Sequence, residues 1–176
     1  MFKIYLWSLP VLFLLACNDP SSVETASNGI PEVSVSDLNA NIEPVSLING
    51  VTVVEITADD KMRFNIESFA VPVGGPVKLK LVNLGKMPKA TMGHNLVILG
   101  ADINVNTFAT DAASSRDNDY IPLQYRGGII AATKLLGPGE SDTIEFTAPV
   151  VAGDYNFLCS FPAHIYAGMR GVMTVE

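Results

Sequence analysis

From Val51 onward the chain alternates. Val51-Thr52-Val53-Val54-Glu55-Ile56-Thr57 is largely β-branched and stops at Ala58-Asp59-Asp60. Val77-Lys78-Leu79-Lys80-Leu81-Val82 sets valine and leucine on one face and lysine on the other. A period of two with one apolar face is the pattern of a strand half-buried in a sheet. Runs at Met62–Ile66, Ser68–Val71, Asn95–Leu99, Ser141–Phe146, Tyr155–Leu158 and Gly171–Val175 read as further short strands. Turn signals divide them at Pro72 with Gly74-Gly75-Pro76, at Leu136-Gly137-Pro138-Gly139 and at Val151-Ala152-Gly153-Asp154. Short strands at such spacing predict an all-β antiparallel sandwich. One stretch breaks the rhythm. Asn104 to about Tyr120 carries alanines at near-helical spacing, with caps expected at Asn106 and Asp111, which predicts one short helix outside the sandwich.

Ahead of the alternating region the pattern changes twice. Residues 1–16 place one lysine before an apolar run broken by Pro10; the run is too short to span a bilayer comfortably and reads as the core of a secretory signal. Leu14-Leu15-Ala16-Cys17 resembles a bacterial lipobox, in which Cys17 is lipidated and becomes the mature N-terminus. Residues 17–50 are rich in Ser, Asn, Pro, Glu and Asp with scattered valines. They read as a lipidated, mostly disordered tether with a reach of roughly 30 Å, with room for a first strand near Val45. Residues 51–176 are then the folded domain. The protein is expected to be exported and held by lipid to a bacterial membrane, in the periplasm or at the cell surface.

Composition agrees with this division. Charged residues are 16% of the chain, with 14 glycines and 11 prolines, which suits a turn-rich β protein better than a helical one. The formal charge of −7 becomes −8 once Lys3 is lost with the leader. That argues against nucleic acid, which asks for a basic patch, and mildly favours basic partners. Gly127-Gly128 is too short for a phosphate loop, and no nucleophile elbow or Ser/His/Asp set is present.

The chemistry gathers near the C-terminus. Cys159, His164 and Met169 follow one another at intervals of five, on a loop between two strand-like runs. The other histidine of the chain, His94, stands in Met92-Gly93-His94-Asn95 at another strand end. With Cys17 blocked, Cys159 has no disulfide partner, and a lone thiol in an exported protein is accounted for by metal ligation. Two imidazoles, one thiolate and a more distant thioether form the donor set of a blue-copper electron-transfer site. The backbone N–H groups of Ser160 and Phe161 are expected to bond the thiolate, which Pro162 cannot do. A copper-storage or zinc-binding module would use the same residues. A copper oxidase or nitrite reductase would need a second metal centre, and both histidines are already used.

On these motifs, the chain from about Val51 to Glu176 resembles azurin and the auracyanins of the cupredoxin family. The matching stretches are Met62-Arg63-Phe64-Asn65, Gly85-Lys86-Met87-Pro88-Lys89-Ala90-Thr91-Met92-Gly93-His94-Asn95, Asp119-Tyr120, Thr133-Lys134-Leu135-Leu136-Gly137, Gly139-Glu140 and Cys159-Ser160-Phe161-Pro162-Ala163-His164. The resemblance implies a Greek-key β-sandwich with one type 1 copper. It implies His94, Cys159 and His164 as equatorial ligands, Met169 as axial ligand, and the Gly93 carbonyl on the opposite side. Asn95 would tie the His94 strand to the Cys159 loop. The implied function is a membrane-tethered carrier passing single electrons between redox proteins such as c-type cytochromes or membrane complexes, and not an enzyme. Three departures stand out. The His164-to-Met169 interval is one longer than in azurin, azurin's disulfide has no counterpart, and Leu96 replaces azurin's core tryptophan. His164 is expected to show its ring edge at the surface, amid an apolar docking patch of Met92, Pro162 and Ala163 with Ile165 or Tyr166.

Overall fold

A computed structural model describes residues 44–176; the leader, Cys17 and nearly all of the expected tether lie outside the described residues. Two sheets face each other. The first contains β1 (Val45–Ile48), β2 (Val51–Asp59), β5 (Pro76–Asn83) and β8 (Ser141–Thr147) in that spatial order, with the short β3 (Arg63–Phe64) also paired to β2. The second contains β4 (Ser68–Val71), β10 (Arg170–Val175), β9 (Gly153–Leu158), β6 (Val97–Leu99) and β7 (Ile129–Ala132), again in spatial order.

Alternation explains which face of each strand turns inward. Along β2 every second residue, Thr52, Val54, Ile56 and Ala58, is buried. On β5 Val77, Leu79 and Leu81 face the core. The intervening Lys78 and Lys80 reach Glu145 at 2.9 Å and Glu55 at 3.1 Å on neighbouring strands. These pairs are largely solvated and contribute at most about 1 kcal/mol each. The inner face of the second sheet supplies Phe69, Val71, Phe157, Met173 and Val175 to the same core. The Phe157 ring lies 5.7 Å from Phe64 and 5.5 Å from Phe69 between centroids. Each such side chain, fully buried, contributes about 1.5–3 kcal/mol, so the cohesion of the domain resides in this layer.

The sandwich is not wholly antiparallel. β2 runs parallel to β5 and β4 runs parallel to β10. Between β2 and β5 the chain crosses to the second sheet to lay down β4, and it returns in its original direction. Folding also begins ahead of residue 51, because Val45–Ile48 pairs antiparallel with β2. The strand expected over Met62–Ile66 is reduced to Arg63–Phe64, since Met62 has a left-handed backbone with φ of 56°.

The helical stretch resolves into α2 (Val105–Ala113) and a separate 3-10 turn at Arg116–Asn118. The cap is neither Asn106 nor Asp111: Asn104 Oδ1 accepts the N–H groups of Asn106 and Thr107 at 3.0 and 3.1 Å. Phe108, Ala109 and Ala112 are buried with Val97, Leu99, Leu158 and Ile165 in a second apolar cluster, while Leu96, Ile98, Phe157 and Cys159 belong to the core between the sheets. β6 is thus covered on both faces. A second, one-turn helix, α1 (Lys89–Met92), was not apparent in the sequence pattern and leads directly into Gly93 and His94.

Candidate metal centre

His94 is placed by backbone pairing. Its N–H donates to the Leu136 carbonyl at 3.0 Å, and its carbonyl accepts the Leu136 N–H at 2.7 Å. Leu136 is held in turn by buried Asn83, whose Nδ2 donates to the same carbonyl at 3.2 Å. The approach to His94 runs through Gly93. A methyl group there would lie 2.7 Å from the Lys89 carbonyl and 3.0 Å from Leu135 Cγ, so the turn out of α1 has room only for glycine.

Cys159 ends β9, and the loop beyond it is bonded back on itself. His164 N–H donates to Phe161 O at 3.2 Å, while Tyr166 and Ala167 both donate to Ala163 O at 3.1 Å. Met169 closes the loop, with its N–H on His164 O and its carbonyl accepting Cys159 N–H, both at 3.0 Å. The backbone of Met169 therefore joins Cys159 and His164 directly, and its side chain is fully buried. The five-residue interval from His164 to Met169 is taken up by these turns.

Asn95 locks the two halves together. Its Oδ1 accepts Ser160 N–H at 2.8 Å and Ser160 Oγ–H at 3.1 Å. Its Nδ2 donates to Ser160 Oγ at 2.7 Å and to Asp119 O at 3.0 Å. This revises the expectation for the sulfur. The Ser160 N–H is taken by Asn95, and it is the N–H groups of Asn95 and Phe161 that act on Cys159.

The outcome is convergence. Cys159 Sγ lies 3.4 Å from His164 Nδ1 and 4.0 Å from His94 Nδ1. One donor atom from each of the three residues falls within 4.8 Å of the others. The three are buried, and Cys159 is a free thiol. Metal bonds of about 2.0–2.3 Å place donor atoms roughly 3–4 Å apart, so the set fits one small soft or borderline cation. Burial pushes the Cys159 thiol up to about 12, with the Asn95 and Phe161 N–H groups offsetting part of the effect. Burial, and then the neighbouring His94, lower His164 to about 4. His94 is lowered as well, by burial, against the opposing charges of Asp60 and Asp59. Both imidazoles are therefore neutral at pH 7 and offer lone pairs, while the thiol gives up its proton only to a cation that replaces it. His94 Nε2 is buried without a hydrogen-bond partner among the described residues.

His164 itself departs from expectation. It is only 2% exposed, with Phe161 stacked at 4.7 Å and His94 at 4.9 Å between ring centroids. The expected docking residues divide: Ala163 is exposed, Pro162 and Met92 are half-buried, Tyr166 is 66% exposed, and Ile165 points inward to the α2 cluster. Sequence reasoning missed Tyr120, whose ring packs edge-on against Phe161 at 4.9 Å. It also missed the link from Asn95 to Asp119. The Asp119-Tyr120 pair was visible as a motif, but its contact with the loop depends on the path taken after α2.

A family model described as copper binding proteins, plastocyanin/azurin family, matches residues 51–176. The chain is 38% identical over 129 residues to azurin of Pseudomonas aeruginosa, an alignment covering 70% of this chain and 84% of that protein. It is 37% identical over 123 residues to outer membrane protein H.8 of Neisseria gonorrhoeae, covering 68% and 65%. Among solved structures, dithionite-reduced auracyanin from the photosynthetic bacterium Roseiflexus castenholzii superposes with a TM-score of 0.63 at 37% identity. That match covers 72% of this chain and 97% of the other.

Proposed function

The chain belongs to the plastocyanin/azurin family of copper-binding proteins, and from that membership we propose the full ligand set, the docking face and the setting in which its copper site works. It is a blue copper electron-transfer protein with one copper site at His94, Cys159 and His164. The single observation that carries the function is the convergence of one buried thiol sulfur and two imidazole Nδ1 atoms.

Bound copper supplies a one-electron couple. The chain supplies the rest. Met169, whose backbone is bonded to both His164 and Cys159, would hold a further sulfur donor beside them, and Gly93, next to His94, would offer its backbone carbonyl as a weaker oxygen donor. Neutral His94 and His164 and a proton-free Cys159 match the needs of both oxidation states, and the bonded frame limits movement between them. Asn95, Ser160 and Phe161 fix the loop and act on the sulfur.

Electrons are exchanged, on this reading, across the surface over His164, where Ala163, Pro162 and Met92 are flanked by exposed Met87 and Tyr166. A small uncharged face of this kind suits short-lived redox encounters, with interfaces below about 1,200 Å². The partners are other redox proteins, c-type cytochromes or membrane complexes among them, and the role is carriage of electrons and not catalysis of a reaction. The lipobox-like Leu14-Leu15-Ala16-Cys17 supports export and lipid attachment through Cys17, and the likeness to outer membrane protein H.8 is consistent with a place at the cell envelope.

The test is optical. The copper-loaded protein is expected to show an intense visible thiolate-to-Cu(II) band that bleaches on reduction and returns on oxidation. Cys159→Ser is expected to remove the band and leave far-UV circular dichroism unchanged. Copper bound without that band would favour storage over electron transfer.

A further inference from the structure

A cation rests on the ligand loop. The guanidinium of Arg63, on β3, donates from Nη1 to the carbonyl of the preceding Met62 at 3.1 Å. Its guanidinium lies over Gly168, the residue before Met169. A methyl group built on Gly168 would be 3.0 Å from Arg63 Nη1, 3.3 Å from Cζ and 3.5 Å from Nη2. Gly168 has a φ of +98°, so glycine serves here twice. It gives the loop its left-handed turn, and it lets a planar charged group approach the backbone.

This guanidinium has no direct ion-pair partner among the described residues, whereas Lys78, Lys80 and Lys89 each have a carboxylate. Asp59 is the cross-strand partner of Arg63 in the pairing of β2 with β3, yet no salt bridge joins the two side chains among the described residues. Asp59 and Asp60 act on His94. The Asp60 carboxylate accepts the N–H groups of Lys86 and Met87 at 2.8 and 3.3 Å, which disperses its charge. The exposed guanidinium beside Gly168 is thus free of a direct ion pair, while the Asp60 carboxylate that acts on His94 is tied up in backbone hydrogen bonds.

We propose that Arg63 is a positioning residue that tunes the copper couple: Gly168 fixes its guanidinium beside the ligand loop, where its charge favours the reduced form. Reduction lowers the charge of the site by one unit, so a fixed positive charge nearby stabilises the reduced state relative to the oxidised one. The inference rests on the copper-site reading above. It depends on this chain's own arginine and not on the ligand set.

The test compares the full chain, copper-loaded, with Arg63→Gln and Arg63→Lys. Reduction potentials are measured by equilibrium titration at low ionic strength, with the visible band recorded throughout. Arg63→Gln is expected to shift the potential downward and Arg63→Lys to stay close to the parent. The glutamine shift should shrink as salt is added, since the Debye length is about 10 Å at 0.1 M. In the metal-free proteins, amide hydrogen exchange at Gly168 and Met169 should match between the two variants, so that a difference in potential reports charge and not loop opening. An unchanged potential in Arg63→Gln overturns the proposal, as does an equal fall in both variants, which would leave Arg63 a packing role. Absence of the band in the parent would instead remove the copper reading itself.

Discussion

Asn95 shows how much one amide can hold. It connects the strand end after His94, the start of the ligand loop at Ser160 and the carbonyl of Asp119. Truncation to alanine strands a buried Ser160 N–H, and an unsatisfied buried group costs about 1–3 kcal/mol. The Asp119 carbonyl is partly buried and loses its bond as well. Asn95→Ala is therefore expected to lower the urea-unfolding free energy by about 2–3 kcal/mol and to speed copper loss to a chelator. A stability equal to the parent's would mean that water replaces these bonds freely. At this scale the converging set was legible in the sequence because Cys159 and His164 are separated by a short loop interval and His94 is the other histidine of the chain. The residues that support them were less so. Asp59 beside His94, Tyr120 on Phe161 and Arg63 on Gly168 are distant in sequence from what they touch, and only the topology brings them there.

Helix α2 extends the ligand loop's support outward. Its Phe108 is fully buried in the cluster that receives Ile165, the neighbour of His164. Phe108→Ala is expected to cost about 3–5 kcal/mol, and because the cavity opens under the loop, copper release should quicken too. Asn104→Ala removes only the cap and is expected to cost about 1 kcal/mol, leaving release rates near the parent's. Chemical denaturation paired with chelator kinetics separates the two effects. The strands that were easy to foresee are those with one dry face, such as β2 and β5, where burial enforces a period of two. β7 escaped notice because all four of its residues are half-buried and show no alternation. β6 is buried on both faces, so it reads as a plain apolar run. The length of the His94 approach hid α1, since four residues carry no helical period.

Across the whole molecule, the core and the metal centre are separable. The inter-sheet layer is built from residues such as Val54, Ile56, Leu79 and Phe157, which are not donors. The metal-free protein is therefore expected to keep the far-UV spectrum of the loaded one and to melt at a lower temperature. The gap should grow with copper activity, by about 2.7 kcal/mol at a hundredfold excess over Kd; loss of β signal on chelation would show that the metal holds the fold. Net charge was a poor guide at this scale, because a total of −7 is silent about Arg63 lying against the loop. The pairing of β4 with β10 carries a consequence for how the protein is made. It joins Ser68 to Val172 in parallel, with most of the described chain between them. Such long-range contacts come late, after costly loop closure, and slow the search for the native state. β10 begins immediately after Met169, whose backbone bonds to Cys159 and His164 close the loop, so thiol and imidazoles gain their fixed relation with that closing event. A newly made chain is therefore expected to leave its thiol open to oxidation and to stray metal until the last strand has docked.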